Sequence, residues 1–468
     1  MAPETLIHER IPRRAQRRGA WAKSIAGDTL TLMIGLGACY TIQVGGDIPL
    51  CEVILVPSLL MLIAIHSDRV RLRNRPFGTI FGLMSLWLLG QIVTDVYRLT
   101  PFHDWSKGDA NIAFFMLDFL GLTILLKGNV RRQMIFLLGL ALGGILSVEI
   151  EPSLYEGNVF KFGLCAPLMY LNSLVCCYFY KRRQYAVVGL LLFANIALDL
   201  FFNTRSVVLT QLIAAALILP VIPERIGRLR LLPPLGTTAR ILALAGIASA
   251  AGGLAALLVT GLGASGALGR EAQLKNSVET RAGWGILIGG RPEILVSSRA
   301  VFDSPILGHG SWAKDPKYSE MLADIQAEFG MPPSDEGLKF KGLIPAHSHL
   351  MGAWVFSGIL GGVFWIYIFK QTLKSIVRTA ILRSPETPMY AILLTGWAWA
   401  ILFSPFGGLD RIQEALTLVI ICDLLGPDSA VRRTAKKGFA TPQYPVRRRN
   451  LGKFPPTGMR SGRYRESV

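Results

Sequence analysis

Long runs almost free of charge recur from end to end of this chain, and they restrict its fold more than any other feature. Each extends over roughly 17–24 residues, and a helix rising 1.5 Å per residue needs about twenty to cross a ~30 Å hydrocarbon layer. That layer holds no water, so backbone N–H and C=O groups must pair within the segment, which selects helices. A soluble core also buries apolar residues, but polar surface interrupts its apolar stretches roughly every 8–15 residues. Of the 468 residues only 17% are charged and 51% are hydrophobic, against about 25% charged in an ordinary soluble domain. The soluble class is excluded, and the chain reads as an all-α polytopic membrane protein.

About twelve spans are expected, near 27–45, 48–66, 78–97, 109–127, 133–150, 162–180, 185–203, 206–223, 241–263, 348–369, 388–404 and 412–426. Their connections alternate in charge. One set comprises the N-terminal arm (Arg10 to Lys23), 69–75, 127–132, 181–183, 225–240, 370–383 and the C-terminal tail. It holds 35 of the 49 Lys and Arg, so the positive-inside rule puts it, with both termini, in the cytoplasm. The opposite set includes 45–47, 149–156, 203–205 and 404–411, all poor in basic residues. The net charge of +18 is therefore mostly topological, and no nucleic-acid partner is implied. Met1 to Lys23 is basic and polar, and the first apolar stretch reads as a retained span rather than a cleavable signal.

The chain thus divides into a basic arm (1–26), nine spans (27–263), a large external loop (264–346), three more spans (347–426) and a basic tail (427–468). The tail, rich in Pro, Gly and Arg, reads as disordered and can touch anionic lipid. No cysteine lies in the large loop, so no disulfide framework is expected there. A structureless loop of that length is uncommon, so it is expected to be folded and functional. Two helices are legible within it. One opens at Gly289-Gly290-Arg291-Pro292 and ends at Asp303-Ser304-Pro305; the other starts at Ser319 and stops at Gly330. No internal repeat and no inverted pair of broken helices is evident.

Three external features can carry chemistry. Arg205 stands at the junction of the seventh and eighth spans, where an interfacial arginine is an equally good reading. Arg291 begins a loop helix after two glycines, a suitable setting for a diphosphate, although a solvated loop arginine looks the same. His347 and His349 open the tenth span, with His309 in the loop. Three histidines can hold zinc, but residues two apart on a helix point about 200° away from each other. A plain interfacial role is the alternative. No external Asp-x-Asp pair is present to hold Mg²⁺ or Mn²⁺, so neither a metal nor another cofactor is expected.

The order and spacing of these motifs resemble the O-antigen ligase and polysaccharide polymerase family of bacterial membrane glycosyltransferases. Thr204-Arg205-Ser206 opens a span like the family's first arginine motif. Gly290-Arg291-Pro292-Glu293, followed by Asp303-Ser304-Pro305 and Gly308-His309-Gly310, is similar to its loop pattern. His347-Ser348 with Gly358 and Gly361 downstream resembles its histidine motif, with Ser348 replacing the usual Asn. The likeness covers roughly residues 205–365. It implies a GT-C-like architecture in the bacterial inner membrane, with the active site facing the periplasm. It also implies a polyprenyl-diphosphate-linked glycan donor and an acceptor that is either another glycan or a lipid A core.

By that resemblance Arg205 and Arg291 stabilise the departing diphosphate, and His347 activates the acceptor hydroxyl. His349 is the weaker alternative base, and Ser348, Gly308, His309 and Gly310 contact substrate. No ATP motif appears and none is needed, since the donor diphosphate is the energised group. Polymerase and ligase are not separated by these motifs. A multi-pass transporter or lipid-linked glycan flippase is the rival reading, with Asp95, Asp118, Asp199, Asp423 and Glu52 as its candidates. A membrane scaffold without catalysis is the third.

Overall fold

The computed structural model describes residues 25–43, 47–66, 75–155, 158–219, 225–226, 229–230, 291–328 and 342–426, with single residues and short pieces between 246 and 277. The N-terminal arm, the C-terminal tail and most of the ninth expected span lie outside the described residues.

The described chain is an all-α bundle. Its helices are α1 (Ile25–Gly37), α2 (Leu50–His66), α3 (Phe77–Arg98), α4 (Phe102–Leu126), α5 (Val130–Ile150), α6 (Cys165–Lys181), α7 (Tyr185–Phe201) and α8 (Arg205–Ile218). After them come α9 (Glu293–Asp303), α10 (Pro316–Glu328), α11 (His349–Ser357), α12 (Ile359–Leu382), α13 (Thr387–Phe403) and α14 (Arg411–Leu425). Four helical segments are long and apolar enough to cross a membrane: α3, α4, α5, and α6 with the π-turn Phe160–Leu164 that precedes it. Several others are apolar but shorter.

The bundle has an apolar core that also encloses ionisable groups, and it presents large apolar side chains outside, as suits lipid. Leu89, Val96, Leu190 and Phe193 are exposed, while Glu52, Asp118, Asp199, Arg411 and Glu414 are buried. Such ionisable groups are tolerated only where the bundle interior supplies partners. Arg411 on α14 donates from Nη2 to Glu52 of α2 at 2.7 Å and from Nη1 to Asn111 of α4 at 2.6 Å. At the centre lies α14, buried from Arg411 to Leu424 except at half-buried Gln413 and packed against α4 and α12. Beside it α13 packs against α6, α8 and α12. Trp87, Phe115, Trp365 and Phe406 interlock here, with the Trp365 and Phe406 rings 5.4 Å apart.

Two expectations need correction. The first span ends early: α1 stops at Gly37, and Thr41–Gln43 pairs with Asp47–Pro49 as a hairpin in which Ile42 faces Ile48. A β-branched, alternating segment bounded by glycines and a proline favours extended pairing over another helical turn. The tenth span is not one helix but two, α11 and α12, broken at Gly358 (φ 65°, ψ −151°). That φ is strained for any residue with a Cβ, and a Cβ on Gly358 would also overlap the carbonyl oxygen of Ile306.

The loop helices form as read, with α10 starting three residues earlier than expected, at Pro316. Helix α9 packs on α11 and α10 on α9 around Val296, Ala300, Tyr318, Ile344 and Val355. Residues 313–315 and 342–344 run antiparallel, linked by Ile344 N to Ala313 O at 3.0 Å and Asp315 N to Gly342 O at 2.6 Å. This pairing returns the chain to the bundle just before His347.

Candidate functional site

A cavity of about 970 Å³ opens where α3, α4, α10 and the start of α11 meet. Its walls include Trp87, Gln91, Asn111, Trp312, Phe356 and Phe406, and on one side His347 and Ser348. Its position follows from the loop latch. Gly308 (φ 75°) and Gly310 (φ 93°) turn the chain against the break in the tenth span. His309 N donates to Val355 O at 2.7 Å, Gly310 N to Phe356 O at 3.1 Å, and Ile359 N to Ile306 O at 3.1 Å. Carbonyls freed at the C-terminus of α11 are thereby satisfied. A Cβ on Gly308 would stand 2.6 Å from Gly358 N, so both glycines are needed for the backbones to meet.

From α3, Arg98 donates to Gly308 O at 2.8 Å, and Asp95 accepts from Ser311 N and Ser311 Oγ, both at 2.6 Å. Gln91 Nε2 donates to the same Asp95 and Ser311 side chains. The Gly308-His309-Gly310 turn, expected to touch substrate, is thus occupied in joining loop to bundle. The His309 ring is 2.8 Å from Ala300 O and edge-on to Tyr318.

The two histidines of the His347-Ser348-His349 stretch part completely. His349 is buried, with Nδ1 2.7 Å from Ser404 O and Nε2 2.5 Å from Glu414, and packs edge-on against Trp365 and Phe406. Ser348 caps α11, accepting from Met351 N at 3.2 Å and donating to Ile401 O at 2.9 Å. His347 precedes the helix, half-buried on the cavity wall, and its ring makes no hydrogen bond among the described residues. Burial, then the charges of Arg291 and Lys161, push its pKa down to about 4. The imidazole is therefore neutral at physiological pH, with an open lone pair. As a general base it is weak in this state, since an effective base titrates near the working pH. An anion seated against Arg291 and Lys161 would cancel two of the three depressing influences and raise its basicity.

Arg291 stands just before Pro292 at the start of α9, half-buried, and the next residue, Glu293, lines the cavity. Arg205 opens α8 after a corner in which Asn203 is left-handed (φ 58°) and accepts from Arg205 Nε at 2.9 Å. Asp199 braces that corner: its carbonyl accepts from Thr204 Oγ1 at 2.8 Å, and its carboxylate from Gln211 and Asn195. Neither arginine lines the cavity itself. The link between them is one that sequence reading missed: Phe202 of the Arg205 corner stacks on Phe160 of the π-turn at 4.0 Å, and Lys161 of that turn acts on His347 together with Arg291. Nothing in the local sequence marks Lys161, because a π-turn is a product of packing.

Four of the five acidic candidates for a transport path are held by hydrogen bonds, and the fifth, Asp118, is not. Asp95 holds Ser311, Asp199 holds the α7–α8 corner, Asp423 accepts from Gly128 N at 2.8 Å and Gln133 at 2.7 Å, and Glu52 pairs with Arg411; Asp118 is buried near Glu52 with neither carboxylate oxygen hydrogen-bonded among the described residues. Among the described residues no three of His, Cys, Asp and Glu gather as a metal cluster. No protein-family model matches the chain, and no curated protein matches it significantly.

Proposed function

We propose that the protein is a membrane glycosyltransferase that moves a glycan from a polyprenyl diphosphate to an acceptor sugar hydroxyl at the outer leaflet. The single observation that carries the reading is His347, a neutral and unengaged imidazole on a cavity wall, under the joint influence of Arg291 and Lys161. In this scheme the acceptor oxygen attacks the anomeric carbon while the bond from that carbon to the diphosphate oxygen breaks. The bonding pair leaves with the diphosphate, whose growing charge Arg291 and Lys161 offset, with Arg205 at the adjoining corner. The acceptor proton passes to His347, whose basicity rises once the diphosphate screens those cations, and then to water. The donor supplies the energy, so no nucleotide is consumed.

Twelve spans with both termini cytoplasmic complete this reading. Its support is that 98–101, 203–205, 291–328, 342–348 and 404–411, all on the external side by charge alternation, meet at one end of the bundle with 160–164, which follows the external 149–156 turn. Asp28, paired with Arg131 and Arg132 at 3.1 Å, belongs to the other. Whether the product is a polymer or a ligated glycan depends on the acceptor alone.

The test is transfer by purified protein given lipid-linked donor and acceptor in excess chelator. No product, or product only after zinc or magnesium is restored, would count against the scheme. A transporter is the second reading, favoured by the break at Gly358, since broken helices line many transport paths. There the freed backbone groups usually face substrate, whereas here they are bonded to the Gly308-His309-Gly310 turn. Movement of lipid-linked glycan across vesicles without any change in its bonds would select that reading.

A further inference from the structure

Trp312 has no part in the transfer scheme, yet its setting is unusual. It lines both the main cavity and a second cavity of about 430 Å³, and so stands as a partition between them. Its side chain is 44% exposed, and it meets no other aromatic ring among the described residues. Its backbone is left-handed (φ 51°), a conformation unfavourable for an L-residue with a Cβ. The neighbouring Ser311, fixed at both N and Oγ by Asp95, holds it there. A large indole kept exposed against its backbone preference offers a flat apolar surface to a ligand.

The rest of the lining narrows that ligand's chemistry. Glu320 and Asp324 of α10 supply carboxylates, and no lysine or arginine is among the described lining residues. Gln91 is only 3% exposed, and both its side-chain hydrogen bonds use Nε2, which leaves Oε1 in the wall without a hydrogen bond among the described residues. The wall therefore accepts hydrogen bonds far more than it donates charge. A pyranose matches it: the C–H face lies on an indole while the hydroxyls donate to carboxylates and to an amide oxygen. A sugar carrying its own carboxylate would meet the like charges of Glu320 and Asp324, with no lysine or arginine beside them among the described lining residues.

We propose that this cavity is an acceptor-sugar subsite selective for neutral or amino sugars, with Trp312 as its stacking platform and Glu320 and Asp324 as the groups that reject acidic sugars. The inference rests on the transfer reading for the identity of the guest as acceptor. The donor diphosphate belongs with Arg291 and Lys161, outside this lining.

Binding by the full chain in detergent, followed by saturation-transfer NMR and calorimetry, tests it with maltotriose, a glucosamine trimer and trigalacturonate. Maltotriose and the glucosamine trimer should bind, and trigalacturonate should bind roughly tenfold more weakly or worse, the equivalent of one lost anchor contact. Trp312→Ala should weaken maltotriose by a similar factor while Trp312→Phe largely retains it. Combined Glu320→Gln and Asp324→Asn should close the gap between maltotriose and trigalacturonate. Inorganic pyrophosphate should not displace maltotriose; displacement would make the cavity a donor site and overturn the assignment. Equal binding of neutral and acidic trimers by the unmodified protein, or no binding of any trimer at millimolar concentration, would overturn the subsite outright. Sugar binding that depends on Trp312 without transfer to any acceptor would remove the transfer reading and leave the subsite. Transfer at full rate in Trp312→Ala would do the reverse.

Discussion

His347 and His349 are separated by one residue, yet they belong to two different regions of the molecule, the wall of a cavity and the interior of a bundle. The interior histidine has every polar atom engaged, one nitrogen on a backbone carbonyl and the other on Glu414, inside a cage of aromatic rings. The wall histidine has neither nitrogen in a hydrogen bond among the described residues and lines the cavity. Ser348 makes the difference. Its hydroxyl begins α11, so His349 is drawn into the helix and His347 is left outside it. A group free to exchange a proton with a substrate has to forgo the bonds that would stabilise the fold, and a group that stabilises the fold cannot also exchange one.

The contrast breaks most visibly through His347→Ala. Transfer should fall by about 10²–10⁴, the usual contribution of a general base, while the unfolding temperature stays put. A parallel loss of stability would show that the wall histidine is structural after all. His349→Ala should do the opposite. It strands Glu414 without its partner in a dry interior, and breaking such a pair costs about 3–5 kcal/mol of stability, read by denaturant unfolding in detergent. Stability equal to that of the unmodified protein would dissolve the distinction between the two regions.

Arg291→Lys sharpens the cavity side. Lysine keeps the charge but loses the planar fork that grips two phosphate oxygens, so transfer should fall by about 10²–10³, nearly as far as for Arg291→Ala. A near-normal rate for the lysine variant in single-turnover transfer would reduce Arg291 to a general electrostatic role. The smallest effect is on pH dependence. His347 titrates near its ordinary 6.5 when unfolded and about 4 when folded, so the unfolded chain binds the extra proton between those values. Its contribution is absent above pH 6.5, erodes stability as pH falls toward 4, and levels off below. His347→Asn should flatten that part of the profile, and an unchanged slope would mean that the imidazole is not held neutral.

Much of the architecture was legible because its causes are local. The uninterrupted apolar run from Phe77 fixes α3 within a residue at each end, and Pro292 with the following stripe fixes α9. The hairpin at 41–49 and the break at Gly358 were hidden, since a glycine in an apolar run looks the same whether it bends a helix or lets another pass. For the site, spacing singled out His347 and Arg291, but could not say that Ser348 is a cap, that His349 is a strut, or that the charge of Lys161 acts on His347 together with that of Arg291. The partners of Glu52 and Asp95 lie at Arg411 and Ser311, hundreds of positions away, and no local pattern announces such pairs.

The seam between the 306–310 turn and the Gly358 break has a consequence for anyone who would rebuild this molecule. Turn and break each supply the backbone groups that the other lacks, so they are two halves of one joint although fifty residues of chain separate them. A specificity swap cut at the natural-looking boundary before His347 would graft a loop onto a helix with no socket for it. The transferable unit runs from Ser304 through Gly361, and a donor lacking both glycines would be incompatible whatever its sugar preference.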